Sequence, residues 1–281
     1  NDLVLYQANP VAVGNKEVFA AIRDLRATAI LYENKRENFL CKHCNILYKG
    51  LGTEGYVDVQ KVMRCAVPED LNFWKGRRVW LGIDLAQTDD NTAVAMVAVD
   101  GDAIRVKAWG FIPKERIEYK TAKEDLDYKR MIKAGVCYAC GEEVIDYGFV
   151  ERFILSLPEK YGVEIVQLGY DRYNAISTVQ KLEQHGIECV EIKQHSSVLH
   201  APTKLLREKI LDRKMEYEQN RLLEINFQNA RCTKDTNLNE YLNKKRSSGK
   251  VDMVMATIDA VYLVQVDLLT NAQMSWGVQV G

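Results

Sequence analysis

Leu81-Gly82-Ile83-Asp84-Leu85-Ala86-Gln87-Thr88-Asp89-Asp90-Asn91-Thr92-Ala93-Val94-Ala95-Met96-Val97-Ala98-Val99 decides the fold. An apolar run delivers a single acid, Asp84, at its end; a polar turn follows, and a second apolar run returns. Both runs have strand length and the joint is Gln/Thr/Asp/Asn, so the stretch predicts two strands joined by a tight turn. A carboxylate at the end of a buried strand is costly unless a cation or a hydrogen-bond network compensates it. Taken alone, Asp84 reads equally well as an acid capping its own turn. Its partners elsewhere in the chain have to decide.

Outward from this pair, Asp100-Gly101-Asp102 is a hairpin signal, and Ala103–Ile112 reads as a third strand, which completes an antiparallel meander. Residues 113–142 read as irregular and charged. Residues 144–159 predict an amphipathic helix, and residues 163–171 a buried strand that again ends on an acid, Asp171. A helix over residues 174–185, closed by Gly186, leads to a strand over residues 187–192. Residues 202–213 read as a helix opening on Pro202, and residues 222–229 as a strand. Lys244-Lys245-Arg246-Ser247-Ser248-Gly249-Lys250 is a basic, flexible loop before a helix over residues 251–269. On that helix Asp252 and Asp259, seven apart, share one flank. Upstream, residues 15–32 carry a helical repeat and residues 33–38 make a polar break. No dense core pattern appears before residue 75. Residues 1–75 are therefore read as a helical arm or linker and residues 76–281 as the main domain.

Three acids stand at comparable places: Asp84 and Asp171 ending strands, and Asp252 opening a late helix. Antiparallel strands 1-2-3, then alternating helices and parallel strands and a closing helix, is the order of the ribonuclease H-like α/β fold, a mixed sheet flanked by helices. That topology lays the ends of the first and fourth strands side by side under a later helix, so the three carboxylates converge. Converging carboxylates repel, and two divalent cations, Mg²⁺ or Mn²⁺, are the usual remedy. Such a pair can activate water and stabilise the leaving oxygen of a phosphodiester without any histidine or serine. Asp90 and Asp259 are second-tier ligands, each also readable without a metal: Asp90 as a turn cap, Asp259 as a solvated flank residue.

Composition narrows the classes. A hydrophobic share of 47% and a charged share of 27% are those of an ordinary globular protein, and a net charge of -1 argues for no polyanion partner beyond local patches. No apolar run is expected to span a membrane, and no signal-peptide pattern opens the chain. The chain begins with Asn rather than Met, as a fragment of a longer protein would. Seven cysteines include two Cys-x-x-Cys pairs, Cys41/Cys44 and Cys137/Cys140. Their separation exceeds zinc-ribbon spacing, so buried or incidental thiols outweigh a structural zinc site. His185, His195 and His200 have no ligand spacing.

At this point the chain resembles a known family, the C-terminal nuclease domain of the large terminase subunit of tailed bacteriophages, a motor protein that packages and cuts viral DNA. Gly82-Ile83-Asp84-Leu85-Ala86 with Asp90-Asn91-Thr92-Ala93 is similar to the family's first acidic strand and turn. Gly169-Tyr170-Asp171-Arg172-Tyr173-Asn174-Ala175 resembles its second acidic motif. Lys244 to Asp252, then Val254 and Ala256, resembles its basic loop and third acid. Ala8-Asn9-Pro10 and Phe39-Leu40 with Asn45 are similar to the linker that follows the family's ATPase. Tyr217 falls where family members often carry His, and the Cys-x-x-Cys pairs are not family features. A Walker A loop is missing, so the resemblance implies the cutting half of the motor without its ATPase domain.

The resemblance implies a metal-dependent endonuclease that cuts double-stranded DNA during packaging in the host cytoplasm, with the ATPase domain, the small terminase subunit and the portal as partners. It makes Asp84 the shared ligand of two metal ions, Asp171 and Asp252 each completing one site. Lys244, Lys245, Arg246 and Lys250 would hold DNA phosphates. Two rival readings use the same residues: another ribonuclease H-like nuclease of resolvase or transposase type, and an actin-like ATP-binding fold. The latter needs an Asp-x-Gly-Gly-type loop where Asp171-Arg172-Tyr173-Asn174 stands.

Overall fold

A computed structural model describes residues 2–45, 55–86, 91–172 and 175–277. The expected second-tier ligand Asp90, and most of the turn after Asp84, lie outside the described residues.

The arm comprises α1 (Asp2–Ala8), α2 (Lys16–Leu31) and α3 (Glu33–Cys44), closed around Leu5, Phe19, Ile22, Ala29 and Phe39. Asn15 caps α2 by accepting the Val18 N–H. The polar run at residues 33–38, read as a break, is the start of α3, whose buried contact comes later, at Phe39. Next come α4 (Val59–Met63), β1 (Ala66–Val67) and α5 (Leu71–Trp74). Assigned to the arm on sequence, they lie within the main body: β1 pairs with β8 (Met215–Glu218), and Val62 and Trp74 are fully buried.

The meander is as expected: β2 (Arg78–Asp84), β3 (Thr92–Asp100) and β4 (Ala103–Ile112), antiparallel in sequence, with Gly101 at φ +62 in the second turn. The segment read as irregular instead holds α6 (Ile117–Glu124), α7 (Tyr128–Lys133) and β5 (Cys137–Ala139). Asp127 caps α7, and Tyr128 and Met131 are its buried residues, too few to leave a visible repeat. Then follow α8 (Tyr147–Tyr161), β6 (Glu164–Tyr170), α9 (Ile176–Gln184), β7 (Cys189–Glu191) and α10 (Ser196–Leu211). α10 starts before Pro202, which sits inside it, buried; His195 caps the helix by accepting the Ser197 N–H.

Residues 222–229 form not a strand but α11 (Arg221–Asn229). Leu222, Leu223, Asn226 and Phe227 fall on one helical face, and Asn220 caps the helix through the Leu223 N–H. A hairpin of β9 (Cys232–Lys234) and β10 (Glu240–Leu242) precedes the closing helix α12 (Asp252–Gly277).

The main sheet runs β1-β8-β4-β3-β2-β6-β7, with β5 also on β4; β2–β6 and β6–β7 are parallel. Its centre, β4-β3-β2-β6-β7, carries the expected antiparallel meander and sets the first and fourth strands of the ribonuclease H-like order, β2 and β6, side by side. Alternation along β3 puts Ala93, Ala95 and Val97 in a core with α10, α11 and α12, and Val94, Met96 and Ala98 in a second core with α8 and α9. The stretch Asp252–Thr270 is long and apolar enough to cross a membrane, contrary to the expectation from sequence; here it is a core helix, its first ten residues all buried.

Candidate active site

Two neighbouring strands carry the same three-residue pattern, Gly82-Ile83-Asp84 on β2 and Gly169-Tyr170-Asp171 at the end of β6. Gly82 and Gly169 are register partners in the parallel ladder. Both glycines face α12; the close approach of that helix explains Gly82, whereas Gly169 is crowded first by the Ile192 side chain, 2.5 Å from where its β-carbon would lie, and then by α12. A β-carbon on Gly82 would lie 1.9 Å from the Ala256 carbonyl oxygen, and one on Gly169 would lie 3.2 Å from that of Asp259. Side chains alternate across a strand, so the residue two beyond each glycine returns to the same face. The glycines admit the helix, and the acids stand beside it.

α12 adds the other two acids. Asp252 is its first residue, 2% exposed, in the turn where a helix favours negative charge. The following N–H, of Met253, donates to Asn226 Oδ1 at 3.0 Å, which fixes the start of the helix from α11. Asp259, readable as a second-tier ligand or as a solvated flank residue, is 1% exposed, which removes the solvated reading. Burial raises its carboxyl well above the ordinary value, and the charges of Asp84 and Asp171 push the same way. Gln194 opposes this by donating to Asp259 Oδ1 at 3.4 Å. Asp84 is 8% exposed and Asp171 half-buried. Asp84 and Asp171 are thus each close enough to act on Asp259, and Asp252 joins Asp84 through a lysine.

That lysine is Lys244. Its ammonium contacts the Asp84 carboxylate and lies 3.5 Å from Asp252 Oδ1. Among the described residues no three carboxylate, imidazole or thiolate groups are already drawn together into a coordination shell. Instead a side-chain cation stands between two of the acids. The donors are hard carboxylate oxygens, the set that suits Mg²⁺ or Mn²⁺ rather than a thiolate-seeking ion. Asp84, Asp171, Asp252 and Asp259 are the residues that could hold such ions.

The basic loop is less free than its composition suggested. Ser248 N–H donates to Asn229 O at 3.1 Å, Asn229 Nδ2 to Lys250 O at 3.2 Å, and Arg231 N–H to Ser247 Oγ at 3.2 Å. Lys245 and Arg246 are exposed on this pinned turn, whereas Lys250 is half-buried. The remaining sequence candidates lie elsewhere. Cys137 and Cys140 are buried, their thiols raised to about 12 and about 11 by desolvation, while Cys41 is exposed on the arm. Among the described residues they form no metal-binding group with Cys44. His200 accepts the Glu240 N–H in the hairpin, a structural contact.

Three residues at the site's edge gave no sequence signal as a site, Lys120, Glu124 and Tyr128, and they join Asn91 of the turn after Asp84. They form a buried chain in which Lys120 donates to Asn91, Asn91 to Tyr128 and Tyr128 to Glu124. The only hint was Asn91-Thr92 following the Asp84 turn. Nothing singled out one lysine in a charged segment.

With this geometry in view, comparison with known proteins is informative. Residues 2–267 match the family described as the terminase large subunit, endonuclease domain. The large terminase subunit of Enterobacteria phage HK97 is 21% identical over 183 residues, 64% of this chain and 36% of that protein. The crystal structure of the HK97 large terminase superposes with a TM-score of 0.67 at 18% identity, over 94% of this chain and 54% of that one. The chain therefore spans about a third of the curated relative and about half of the solved one. A looser match, at a TM-score of 0.48 and 13% identity, is the large terminase nuclease of thermophilic phage G20c with bound magnesium, over 75% of this chain and 98% of that one.

Proposed function

The chain belongs to the terminase large subunit endonuclease-domain family, and from that membership we propose that it is a metal-dependent endodeoxyribonuclease cutting double-stranded viral DNA during genome packaging. The observation that carries the proposal is the paired glycine seat. It sets Asp84 and Asp171 on adjacent strands beside Asp259 of α12, with Lys244 standing as a cation between Asp84 and Asp252.

Asp84, Asp171 and Asp252 would hold two divalent cations, Mg²⁺ or Mn²⁺, with Asp259 and Asp90 as second-tier ligands. When bound, such ions lower the pKa of a water and neutralise the oxygen that leaves phosphorus. The chain's own part is placement. β2 and β6 fix Asp84 and Asp171 on a rigid sheet, and Asn226 fixes the α12 terminus that bears Asp252. Lys245 and Arg246, exposed on a turn pinned to Asn229 and Arg231, would take the DNA phosphates without reading sequence. Lys244 would leave the carboxylates when cations enter and turn its charge to the same phosphates. In the whole protein, the ATPase domain, the small terminase subunit and the portal are the proposed partners, in the host cytoplasm during virion assembly.

The test is nicking of supercoiled plasmid in Mn²⁺ or Mg²⁺, with EDTA as control. Asp84→Ala should lower the rate by at least about 100-fold while the fold, followed by circular dichroism, persists. Undiminished cutting by Asp84→Ala overturns the assignment. ATP hydrolysis without cutting would favour the actin-like alternative.

A further inference from the structure

The sheet holds the first acidic strand only as far as Asp84. Pairing of β2 with β6 stops at Ile83 and Tyr170, and pairing with β3 stops at Asp84 and Ala93. The next two residues, Leu85 and Ala86, are nonetheless buried. Buried backbone groups beyond a ladder need other partners, and at Ala86 side chains supply them. The Ala86 N–H donates to the Thr92 hydroxyl at 3.1 Å, and the Ala86 carbonyl accepts the Tyr147 hydroxyl at 2.9 Å. The Thr92 hydroxyl lies farther from that carbonyl, at 3.4 Å.

Thr92 opens β3, the neighbouring strand, so its hold is local. Tyr147 comes from a different layer. It is the first residue of α8, and aromatic packing fixes that helix to the sheet: the Phe153 ring meets those of Trp109 and Phe111 edge-on, each at 5.1 Å, and Phe149 meets Phe111 at 6.3 Å. A group carried on so firmly seated an element places its partner more precisely than one on a loop. Burial raises the Tyr147 hydroxyl above its ordinary value, which keeps it a donor. α12 brings its acids to one face of the sheet, whereas α8 packs in the core on the other.

We propose that Tyr147 is a positioning residue of the acidic centre: its hydroxyl, on a helix seated across the sheet from α12, fixes the chain two residues past Asp84 and thereby the Asp84 carboxylate. The proposal rests on the reading of Asp84 as a metal ligand. Groups that hold a ligand in place act on the metal through geometry, and their loss typically weakens metal affinity or activity by about 10-fold or more. Tyr56 is the matched comparison. Its buried hydroxyl makes the same kind of bond, to the Thr203 carbonyl at 2.7 Å, on segments that bear none of the four acids.

Calorimetric titration of Mn²⁺ into the full chain, with thermal melts and plasmid nicking, tests this. Tyr147→Phe and Tyr56→Phe each lose one hydroxyl and keep the ring, and each should melt about 2–4 °C lower than the wild type. Only Tyr147→Phe should bind Mn²⁺ about 10-fold more weakly and cut more slowly, with the KM for plasmid unchanged. Wild-type Mn²⁺ affinity in Tyr147→Phe, or an equal loss in Tyr56→Phe, overturns the proposal, because a bond that serves only the fold gives one or the other. A raised KM with unchanged turnover overturns it too, since Tyr147 would then act on the DNA. Asp84→Ala is titrated alongside: if it binds Mn²⁺ as tightly as the wild type, or the wild type binds none, the metal reading itself fails and this proposal falls with it.

Discussion

Replacing Gly82 with alanine tests the seat of α12 most sharply. The new methyl would stand 1.9 Å from the Ala256 carbonyl oxygen and 2.8 Å from the Ala260 nitrogen. Both are backbone atoms of a helix, so no side-chain rotation relieves the clash. An ordinary contact needs about 3.5 Å, so α12 must retreat from β2 by roughly 1.5 Å. Gaps of that size forfeit much of the dispersion attraction along the contact, where Val254, Ala256, Ile258, Ala260 and Val261 are all fully buried. Overpacking of a closed core costs about 1–3 kcal/mol, and opposition by backbone puts this site at the upper end. At about 3 kcal/mol the melting temperature should fall by roughly 6–12 °C. Function should suffer more than stability. Asp252 and Asp259 ride on the displaced helix, Asp84 stays with the sheet, and a misplacement of about 1 Å can cost about 100-fold in rate. Melts and plasmid nicking measure the two effects. Gly148→Ala is the control, because its added carbon meets only the ends of the Asp146 and Arg152 side chains. A Gly82→Ala protein that melts and cuts like the wild type would refute the seating argument.

Three further outcomes are expected. Lys245→Ala/Arg246→Ala should weaken DNA binding and flatten its dependence on log salt by about 1 per lost phosphate contact, leaving turnover at saturating DNA unchanged; an unchanged slope, measured by filter binding, removes these residues from the interface. Asn220→Ala should cost about 2–3 kcal/mol in urea melts, because Asn220 caps α11 and its Nδ2 also donates to the buried Ala108 carbonyl at 2.8 Å. The Arg207 guanidinium, 2.7 Å from the Glu240 carboxylate, holds that carboxyl below its ordinary value of 4.5. A lowered acid stabilises the fold above its unfolded value and loses that contribution as pH falls through the folded one. Wild-type stability should therefore drop more steeply below about pH 4.5 than that of Glu240→Gln, and parallel curves would contradict the pairing.

The legible parts of this chain are those where one physical cause dominates. β2, β3 and β4 were readable because long apolar runs end at unmistakable turns. The places of Asp84, Asp171 and Asp252 were readable because each stands at the end of an element; in the structure Lys244 reaches both Asp84 and Asp252, and Asp84 and Asp171 both act on Asp259. α11 was misread because Leu222, Leu223 and Phe227 are β-formers as readily as a helical face, and the deciding feature was the Asn220 cap. α6 and α7 were missed because their charged surface shows no repeat. Lys120 was illegible because its buried partner, Asn91, lies 29 residues away at the far end of the turn after Asp84. Asp259 shows the converse. Its place on the helix was legible, but its burial depended on how close α12 comes to Gly169.

The glycine seat also orders events in time. Asp84 and Asp171 lie on strands that pair with each other, whereas Asp252 and Asp259 sit on the last helix of the fold. On a ribosome the first two acids emerge well before the others exist, and closing so long a loop is among the slow steps of folding. Until α12 settles on Gly82 and Gly169, the acids that would cut DNA are not in one place. On the proposed reading an unfinished chain would lack the site, and the capacity to cut would come only once α12 is seated.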